Sequence, residues 1–136
     1  MARQIFVNLP VRDLPRSRAF FAALGFGFNE QFSNEAGACM VVSDTIYVML
    51  LTVPFFQSFT DRPVADATKS VQVMLALSCD SRADVAALVV QAVAAGATTP
   101  RPPVDMGFMF SQAFEDLDGH VWEPFYMDKS APPPQG

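Results

Sequence analysis

One order of predicted elements occurs twice along this 136-residue chain, and the repeat constrains the fold more than any other feature. In each half, a strand precedes a helix that begins at Asp13 or at Asp80 (or the adjacent Ser81) and ends at Gly25 or Gly96. Further strands follow each helix. The two aspartates are 67 positions apart (80 − 13), which indicates a duplicated β-α-β-β-β unit. Two such units are expected to form a cupped mixed sheet with helices on the outside, an α+β fold.

The predicted strands follow from alternating or continuous apolar residues bounded by turn residues. They cover residues 5–11, 26–32, 38–43, 46–52, 71–77, 108–114 and 121–127. A short strand is also expected near Thr98. Because Pro10 has no N–H to donate to a ladder, the first strand, or its end, should lie at a sheet edge.

A single domain is expected from the length of the chain and from its 51% of hydrophobic residues, which can fill a core. It should span residues 1–128, with modules at about 4–52 and 70–128, a connector at 53–69 and a Pro-rich tail at 129–136. Three aromatic residues make the connector unlike a solvated linker: Phe55, Phe56 and Phe59. They are expected to pack on the domain, as a lid or at a subunit contact.

The charge of the chain argues against some classes of partner. The formal net charge is −5 and no basic run occurs, which disfavours nucleic acid and anionic membrane surfaces. No apolar stretch is long enough to span a bilayer, and the N-terminus shows no secretory cleavage pattern. Cys39 and Cys79 have no metal or redox spacing, so we expect reduced, mostly buried thiols in a cytoplasmic protein.

An acidic turn leads directly into an aromatic strand within residues 114–125. Gly119 closes the turn, and Glu123 is the one carboxylate among apolar neighbours in the strand. Burying a charge there costs free energy unless the charge is paired, metal-bound or neutralised. Glu123 is therefore either a ligand-binding or acid/base residue, or an inert residue with satisfied hydrogen bonds. His120, the only histidine, is expected to lie in the turn in contact with solvent.

Three segments of the chain resemble one protein superfamily. Residues 11–26 (VRDLPRSRAFFAALGF) resemble the opening of the glyoxalase/bleomycin-resistance/extradiol-dioxygenase superfamily, also called vicinal oxygen chelate proteins. Residues 76–80 (ALSCD) resemble the start of its second module, and residues 114–123 (FEDLDGHVWE) resemble its closing motif. The resemblance implies the two-module fold. It leaves the function open, because the superfamily includes isomerases, dioxygenases, thiol transferases and metal-free drug-binding proteins.

Metal-dependent members of this superfamily place one ligand on each of four strands. The resemblance carries these positions onto Phe6, about Met49, Met74 and Glu123. Of these, only Glu123 suits a hard divalent ion, since a thioether suits soft metals. The resemblance therefore implies that the ordinary metal site is missing, and no cofactor is expected. A divalent metal held by relocated ligands is the alternative.

Strand alternation places further residues on the same faces as these positions. If the ligand positions point into the cup, the predicted pocket is mostly apolar with a few polar groups. It comprises Phe6, Asn8, Tyr47, Met49, Met74, Ser78, Phe108 and Glu123. Methionines are more often core gap-fillers than ligand contacts, and this interpretation is favoured for Met40, Met49, Met74, Met106 and Met109.

Two classes of function fit these residues. The favoured one is a metal-free protein that binds or sequesters an apolar, aromatic small molecule. The negative net charge of the protein is compatible with a cationic ligand. The alternative is a lyase, isomerase or dioxygenase-like enzyme that uses Glu123, with or without a divalent metal. A homodimer is expected, because superfamily members commonly build the cavity between subunits and the connector aromatics would otherwise be exposed.

Overall fold

The computed structural model describes residues 2–130. The chain divides into two compact units, Met1–Asp66 and Ala67–Gly136. Residues 131–136 of the predicted Pro-rich tail lie outside the described residues. The first unit is built from β1 (Ile5–Val11), α1 (Leu14–Ala23), β2 (Gly27–Asn29), β3 (Gly37–Val41), β4 (Ile46–Thr52) and α2 (Val53–Gln57).

The sheet of the first unit is mixed, with the strand order β1-β4-β3-β2. β1 and β4 are parallel, whereas β3 is antiparallel to both of its neighbours. α1 packs against β3 and β4. The buried apolar residues of this unit include Leu9, Val11, Phe20, Phe21, Met40 and Leu50. Since one face of the sheet buries this core, the residues that alternate with it along β1 and β4 lie on the opposite face.

The first helix begins and ends at the residues that the sequence predicts. The side chain of Asp13 accepts a hydrogen bond from the backbone nitrogen of Arg16 at 3.1 Å, which satisfies one of the free N–H groups of the first turn. Pro15 lies in that first turn, where its missing N–H costs nothing. Gly25 follows the C-cap with a φ of +99°, a conformation that favours glycine.

The second unit repeats this plan with one more strand. Its elements are β5 (Met74–Ser78), α3 (Arg82–Ala94), β6 (Val104–Asp105), β7 (Met109–Ser111), β8 (Phe114–Glu115) and β9 (Val121–Met127). The mixed sheet has the order β5-β9-β7-β6, and β8 pairs with β9. β5 and β9 are parallel. The core of this unit contains Val85, Val89, Phe114, Trp122 and Pro124. Of the two predicted caps of α3, Ser81 is the one used, because its hydroxyl accepts from the backbone nitrogen of Asp84 at 3.0 Å.

The predicted α+β fold class is confirmed, with one mixed sheet and one β-α-β-β-β-like module in each unit. β1, β4 and β9 have the bounds that the sequence predicts, and an isolated bridge at Thr98 matches the short predicted strand. Among the described residues, no helix is long and apolar enough to cross a membrane.

Two predicted strands were too long. The strand at 26–32 stops at Asn29, whose side chain accepts from the backbone nitrogen of Gln31 at 3.0 Å and opens a 3-10 turn, Glu30–Phe32. The strand at 108–114 divides into β7 and β8. Between them, the backbone nitrogen of Gln112 still donates to Pro124 at 3.2 Å.

Two further bounds were shifted, and two elements were missed. The strand at 71–77 begins only at Met74, because its partner β9 begins at the opposite residue, Val121. The strand at 38–43 is Gly37–Val41, after which a turn closes onto Ile46. β6 was not predicted because it has only two residues. α2 was not predicted because Pro54 marks a break in sequence, although proline is tolerated in a first helical turn.

Candidate functional site

An exposed aromatic pair lies on the open face of the first sheet. In the parallel register of β1 and β4, Phe6 lies opposite Tyr47 and Asn8 lies opposite Met49. The rings of Phe6 and Tyr47 stack, with centroids 4.7 Å apart and planes within 10°. Phe6 is 49% exposed although it is a large apolar side chain. The pair therefore presents aromatic surface to solvent from two rigid strands.

The backbone near this pair fixes the tyrosine ring. The hydroxyl of Tyr47 donates a hydrogen bond to the carbonyl oxygen of Asp44 at 3.0 Å, in the turn that precedes β4. The neighbouring strand residue Val48 is 3% exposed and belongs to the core on the other face. Tyr47 is thus held at both ends, by its own strand and by the preceding turn.

The same face continues into an open concavity of about 340 Å³. It is lined by Asn8 and Leu51 from the sheet and by Phe56, Phe59 and Thr60 from α2 and the segment after it. The amide of Asn8 is a polar group that can donate and accept hydrogen bonds there. The other residues that line the concavity are largely apolar, which is the usual composition of a small-molecule site.

The connector aromatics pack in the first unit, next to this concavity. The rings of Phe55 and Phe59 meet edge to face, 5.0 Å apart. The amide nitrogen of Gln57 holds the following segment by donating to the carbonyl oxygens of Thr60 at 3.0 Å and Arg62 at 2.8 Å. Phe59 nevertheless remains 70% exposed and Phe55 39% exposed. The segment covers only part of the sheet face.

The second unit carries Met74, Ser78 and Glu123 on one face of its own sheet. Glu123 lies opposite Ala76 in the parallel register of β5 and β9, and Ser78 lies opposite Phe125. Glu123 is half-buried, while the preceding Trp122 points to the other face and is fully buried. Within residues 2–130, the Glu123 carboxylate forms no hydrogen bond or ion pair.

A second open concavity, of about 710 Å³, lies in this unit at the ends of β5 and β9. It is lined by Ser78, Cys79, Asp80 and the segment 125–130. Cys79 is half-buried rather than buried, and the pKa of its thiol is raised by burial and then by the charges of Asp84 and Asp80. A raised pKa makes a thiol a weaker nucleophile at neutral pH. Cys39 is buried, and both cysteines are free.

The acidic turn of residues 116–120 is organised by Asp116. One oxygen of this carboxylate accepts from the backbone nitrogens of Asp118 at 2.9 Å and His120 at 3.0 Å. The other oxygen accepts from the indole nitrogen of Trp122 at 2.9 Å. Burial raises the pKa of Asp116, and the opposing charge of His120 and these hydrogen bonds reduce that effect. The turn motif therefore has a structural role that sequence reasoning missed, although its aspartate-rich turn before a tryptophan was visible.

The predicted site residues fall into separate groups. Phe6, Asn8, Tyr47 and Met49 share a face of the first sheet, and Met74, Ser78 and Glu123 share a face of the second. Phe108 is half-buried in the turn before β7, where its carbonyl oxygen accepts from the backbone nitrogen of Asp128 at 2.7 Å. In the described part of the chain, no three His, Cys, Asp or Glu side chains come together as a metal site would require.

The interpretation of the methionines as core gap-fillers is wrong for two of them. Met40 is buried at 0% exposure, as that role requires. Met74 and Met106 are 58% and 55% exposed. Met74 lies in the edge strand β5, and Met106 lies in the turn after β6, the opposite edge strand of the same sheet. Edge positions lack a neighbouring strand that would cover such side chains.

Comparison with known proteins identifies the fold. A hypothetical protein from S. aureus is 26% identical, with a TM-score of 0.79 over 93% of this chain and 94% of that one. A glyoxalase-related enzyme from Fulvimarina pelagi is 22% identical, with a TM-score of 0.79 over 93% and 88%. The bleomycin resistance determinant encoded on the transposon Tn5 is 20% identical, with a TM-score of 0.65 over 93% and 99%.

The N-terminal sequence gives an independent match. Residues 3–43 match the family described as Bleomycin resistance protein-like N-terminal. A comparison with curated proteins found no significant relative. The chain thus shares the fold of solved glyoxalase/bleomycin resistance/dioxygenase proteins, and its N-terminal segment matches a bleomycin-resistance-like family model. The recognition made from the sequence motifs is confirmed at that level.

Proposed function

We propose that this protein binds or sequesters a small aromatic molecule without a metal ion, at the open face of its first sheet. The observation that carries the proposal is the exposed Phe6–Tyr47 stack beside a concavity of about 340 Å³. Phe6 is 49% exposed in spite of its size, and exposed apolar surface next to a concavity is typical of binding sites.

The side chains on this face favour a ligand that is a flat aromatic ring and forms few hydrogen bonds. Phe6 and Tyr47 offer ring edges and faces to an aromatic ligand, and each such contact contributes about 0.5–1.5 kcal/mol beyond burial. Asn8 supplies the hydrogen-bonding group that lines the concavity. The formal net charge of −5 favours a cationic or neutral ligand over an anionic one.

The positions that hold metal ligands in other superfamily members support the metal-free form of the proposal. Phe6 has no donor atom, and Met49 and Met74 offer thioethers, which do not suit hard divalent ions. The solved structure of the Tn5 bleomycin resistance determinant shares this fold, so drug sequestration is a natural model for the activity.

An enzymatic function is the second candidate, and one observation favours it. The half-buried Glu123 carboxylate lies on an open sheet face with no partner among residues 2–130, so it could accept a proton from a bound substrate. The corresponding reaction would be a lyase or isomerase step with Glu123 as the general base. A superfamily that contains a glyoxalase-related enzyme makes this reaction class reasonable.

We also propose a homodimer in the cytoplasm. The exposed Phe55 and Phe59 would gain burial at a subunit contact, and the two free cysteines fit a reducing compartment. Sedimentation at micromolar concentration tests the assembly, because a monomer there contradicts the dimer while leaving the ligand site in place.

Binding by the aromatic face is tested by titrating the protein with metal-free bleomycin and with proflavine, a flat cationic dye. We expect saturable binding that Phe6→Ala weakens about tenfold, since burial of the ring contributes about 1.5 kcal/mol or more. The matched control is Phe32→Ala, which removes a 67% exposed phenylalanine of the 3-10 turn in the same unit. Equal affinity in the two variants would contradict the proposed site.

The same samples separate a binding protein from an enzyme. A binding protein returns each probe unchanged after long incubation, whereas turnover that is lost in Glu123→Gln supports the enzymatic alternative. Mass spectrometry of the released probe measures this directly.

A further inference from the structure

Three methionines form a row across the second sheet. Met109 of β7 lies opposite Met127 of β9 in their antiparallel register. Val104 and Asp105 of β6 lie opposite Ser111 and Phe110. Continuing this register brings Met106 opposite Met109, and the backbone nitrogen of Met106 donates to the carbonyl oxygen of Met109 at 2.8 Å.

The row places the three side chains on one face. Residues directly opposite each other in antiparallel strands point to the same side, with Cβ atoms about 4.5–5.5 Å apart. Met109 and Met127 are therefore lateral neighbours on adjacent strands, and Met106 lies beside Met109 in the turn that follows β6. Each carries its thioether sulfur two methylene groups from the backbone on an unbranched, flexible side chain, so the sulfur atoms can converge on a common point.

Packing does not account for this row. A gap-filling methionine is buried, as Met40 is at 0% exposure. By contrast, Met106 is 55% exposed, Met127 is 47% exposed and Met109 is half-buried. Three flexible apolar side chains held side by side in contact with solvent need another explanation than core filling.

We propose that Met106, Met109 and Met127 form a thioether site for a soft monovalent cation, Cu(I). Thioethers are soft, neutral ligands that select Cu(I) over hard ions such as Mg²⁺ or Mn²⁺. The carboxylate of Asp105, which precedes Met106, does not compete, because both of its oxygens accept hydrogen bonds from Arg82, at 2.8 and 3.0 Å. The acidic net charge also favours accumulation of cations at the surface.

The site is tested with Ag(I), which has the same soft character and no redox chemistry under these conditions. The protein carries Cys79→Ser, because a half-buried thiol would compete for silver, whereas Cys39 is 1% exposed. Methionine methyl groups are labelled with ¹³C, and silver nitrate is added in chloride-free buffer. We expect the methyl signals of Met106, Met109 and Met127 to shift together and to saturate at a single equivalent.

Substitution then assigns the ligands. Met109→Leu keeps the size of the side chain and removes the central sulfur, so the affinity for Ag(I) should fall about tenfold or more. Met74→Leu is the matched control, since Met74 is 58% exposed in the same sheet but outside the row. Its affinity should match that of the parent.

Three outcomes would overturn the proposal. One is the absence of a shift in the three methyl signals. Another is an equal shift of the Met74 and Met49 signals, which would mean unspecific contact with silver. The third is an unchanged affinity in Met109→Leu with its spectrum otherwise intact. Each of these results leaves the aromatic site of the first unit untouched, because that site uses none of the three methionines Met106, Met109 and Met127.

Discussion

The indole nitrogen of Trp122 donates a hydrogen bond to the carboxylate of Asp116, with 2.9 Å between Nε1 and Oδ2. The other oxygen of the carboxylate accepts from the backbone nitrogens of Asp118 and His120. One buried side chain thus ties the acidic turn to β9. Because Glu123 follows Trp122 in that strand, the same hydrogen bonds fix which face Glu123 occupies.

Asp116→Asn should destabilise the protein by about 1–3 kcal/mol. An amide has one acceptor oxygen and an NH₂ group, so the Trp122 indole or the turn N–H groups would lose an acceptor in a buried place. The free energy of unfolding in urea measures the effect. Asp80→Asn is the control, because Asp80 is exposed and its loss should change stability by less than about 0.5 kcal/mol. Equal stability of both variants would contradict the role of Asp116.

The pH dependence of stability should show Asp116 and Asp105 acting in opposite directions. Burial raises the pKa of Asp116, so the folded protein holds this proton more tightly than the unfolded chain. Its contribution is therefore fully present below the unfolded pKa of about 3.9 and is lost as pH rises through the raised folded pKa. The stability difference between the parent and Asp116→Asn should accordingly shrink as pH rises above about 4.

Asp105 provides the opposite trend. Hydrogen bonds from Arg82 and Gly107 lower its pKa from 3.8 to about 2, so its contribution is present above the unfolded value and is lost as pH falls toward 2. The difference between the parent and Asp105→Asn should therefore shrink on acidification. Unfolding curves at a series of pH values measure both trends, and parallel behaviour of the two variants would contradict the assignment.

Gly119→Ala should be strongly destabilising. A Cβ at this position would lie 2.9 Å from the backbone nitrogen of Thr68 and 3.0 Å from backbone atoms of Ala67, and the φ of +88° favours glycine. Strain and overpacking together should cost about 2–5 kcal/mol. Gly107→Ala is the matched control, with a φ of +80° and open space around it. Its cost should be only about 1–2 kcal/mol. If thermal unfolding showed equal losses of stability in the two variants, the close approach of Ala67 and Thr68 to Gly119 would not explain the effect.

Divalent ions should not stabilise the protein. With Phe6, Met49 and Met74 in the ligand positions, we expect substoichiometric Mg, Mn, Fe, Ni and Zn after dialysis of untagged protein. A ligand raises the melting temperature only by binding to the folded state. Added Ni²⁺ or Mn²⁺ should therefore leave it unchanged. An increase of several degrees would instead support a metalloenzyme with relocated ligands.

The sequence predicted the elements that depend on long apolar patterns and on caps. β1, β4, β9 and α1 are such elements, because their bounds coincide with Pro, Asp and Gly signals. It failed where a partner strand or a side-chain hydrogen bond sets the end, as at Met74 and Asn29. Those ends depend on tertiary contacts that no local pattern contains.

The candidate site was predictable only in part. Strand alternation gave the faces of Phe6 and Glu123, since their strands were placed correctly. The stacking of Phe6 on Tyr47 required the parallel register of β1 and β4, which the sequence does not encode locally. The acceptor role of Asp116 was missed for a similar reason, because it depends on the position of the Trp122 indole.

Glu123→Gln should keep the fold, because shape is preserved and the carboxylate has no partner among residues 2–130. Removing a half-buried charge should leave stability unchanged or slightly raised. If Glu123 holds a cationic ligand in a desolvated site, affinity should fall by about 2–5 kcal/mol.

Glu115→Gln is the matched control, since Glu115 is half-buried and lies opposite Val121 on the same sheet face. Thermal unfolding measures the stability of both variants, and titration with proflavine measures their affinity for a cationic ligand. Equal affinity in the parent and both variants would exclude Glu123 from the proflavine site. A loss of stability of about 3–5 kcal/mol in Glu123→Gln would instead indicate a buried charge partner.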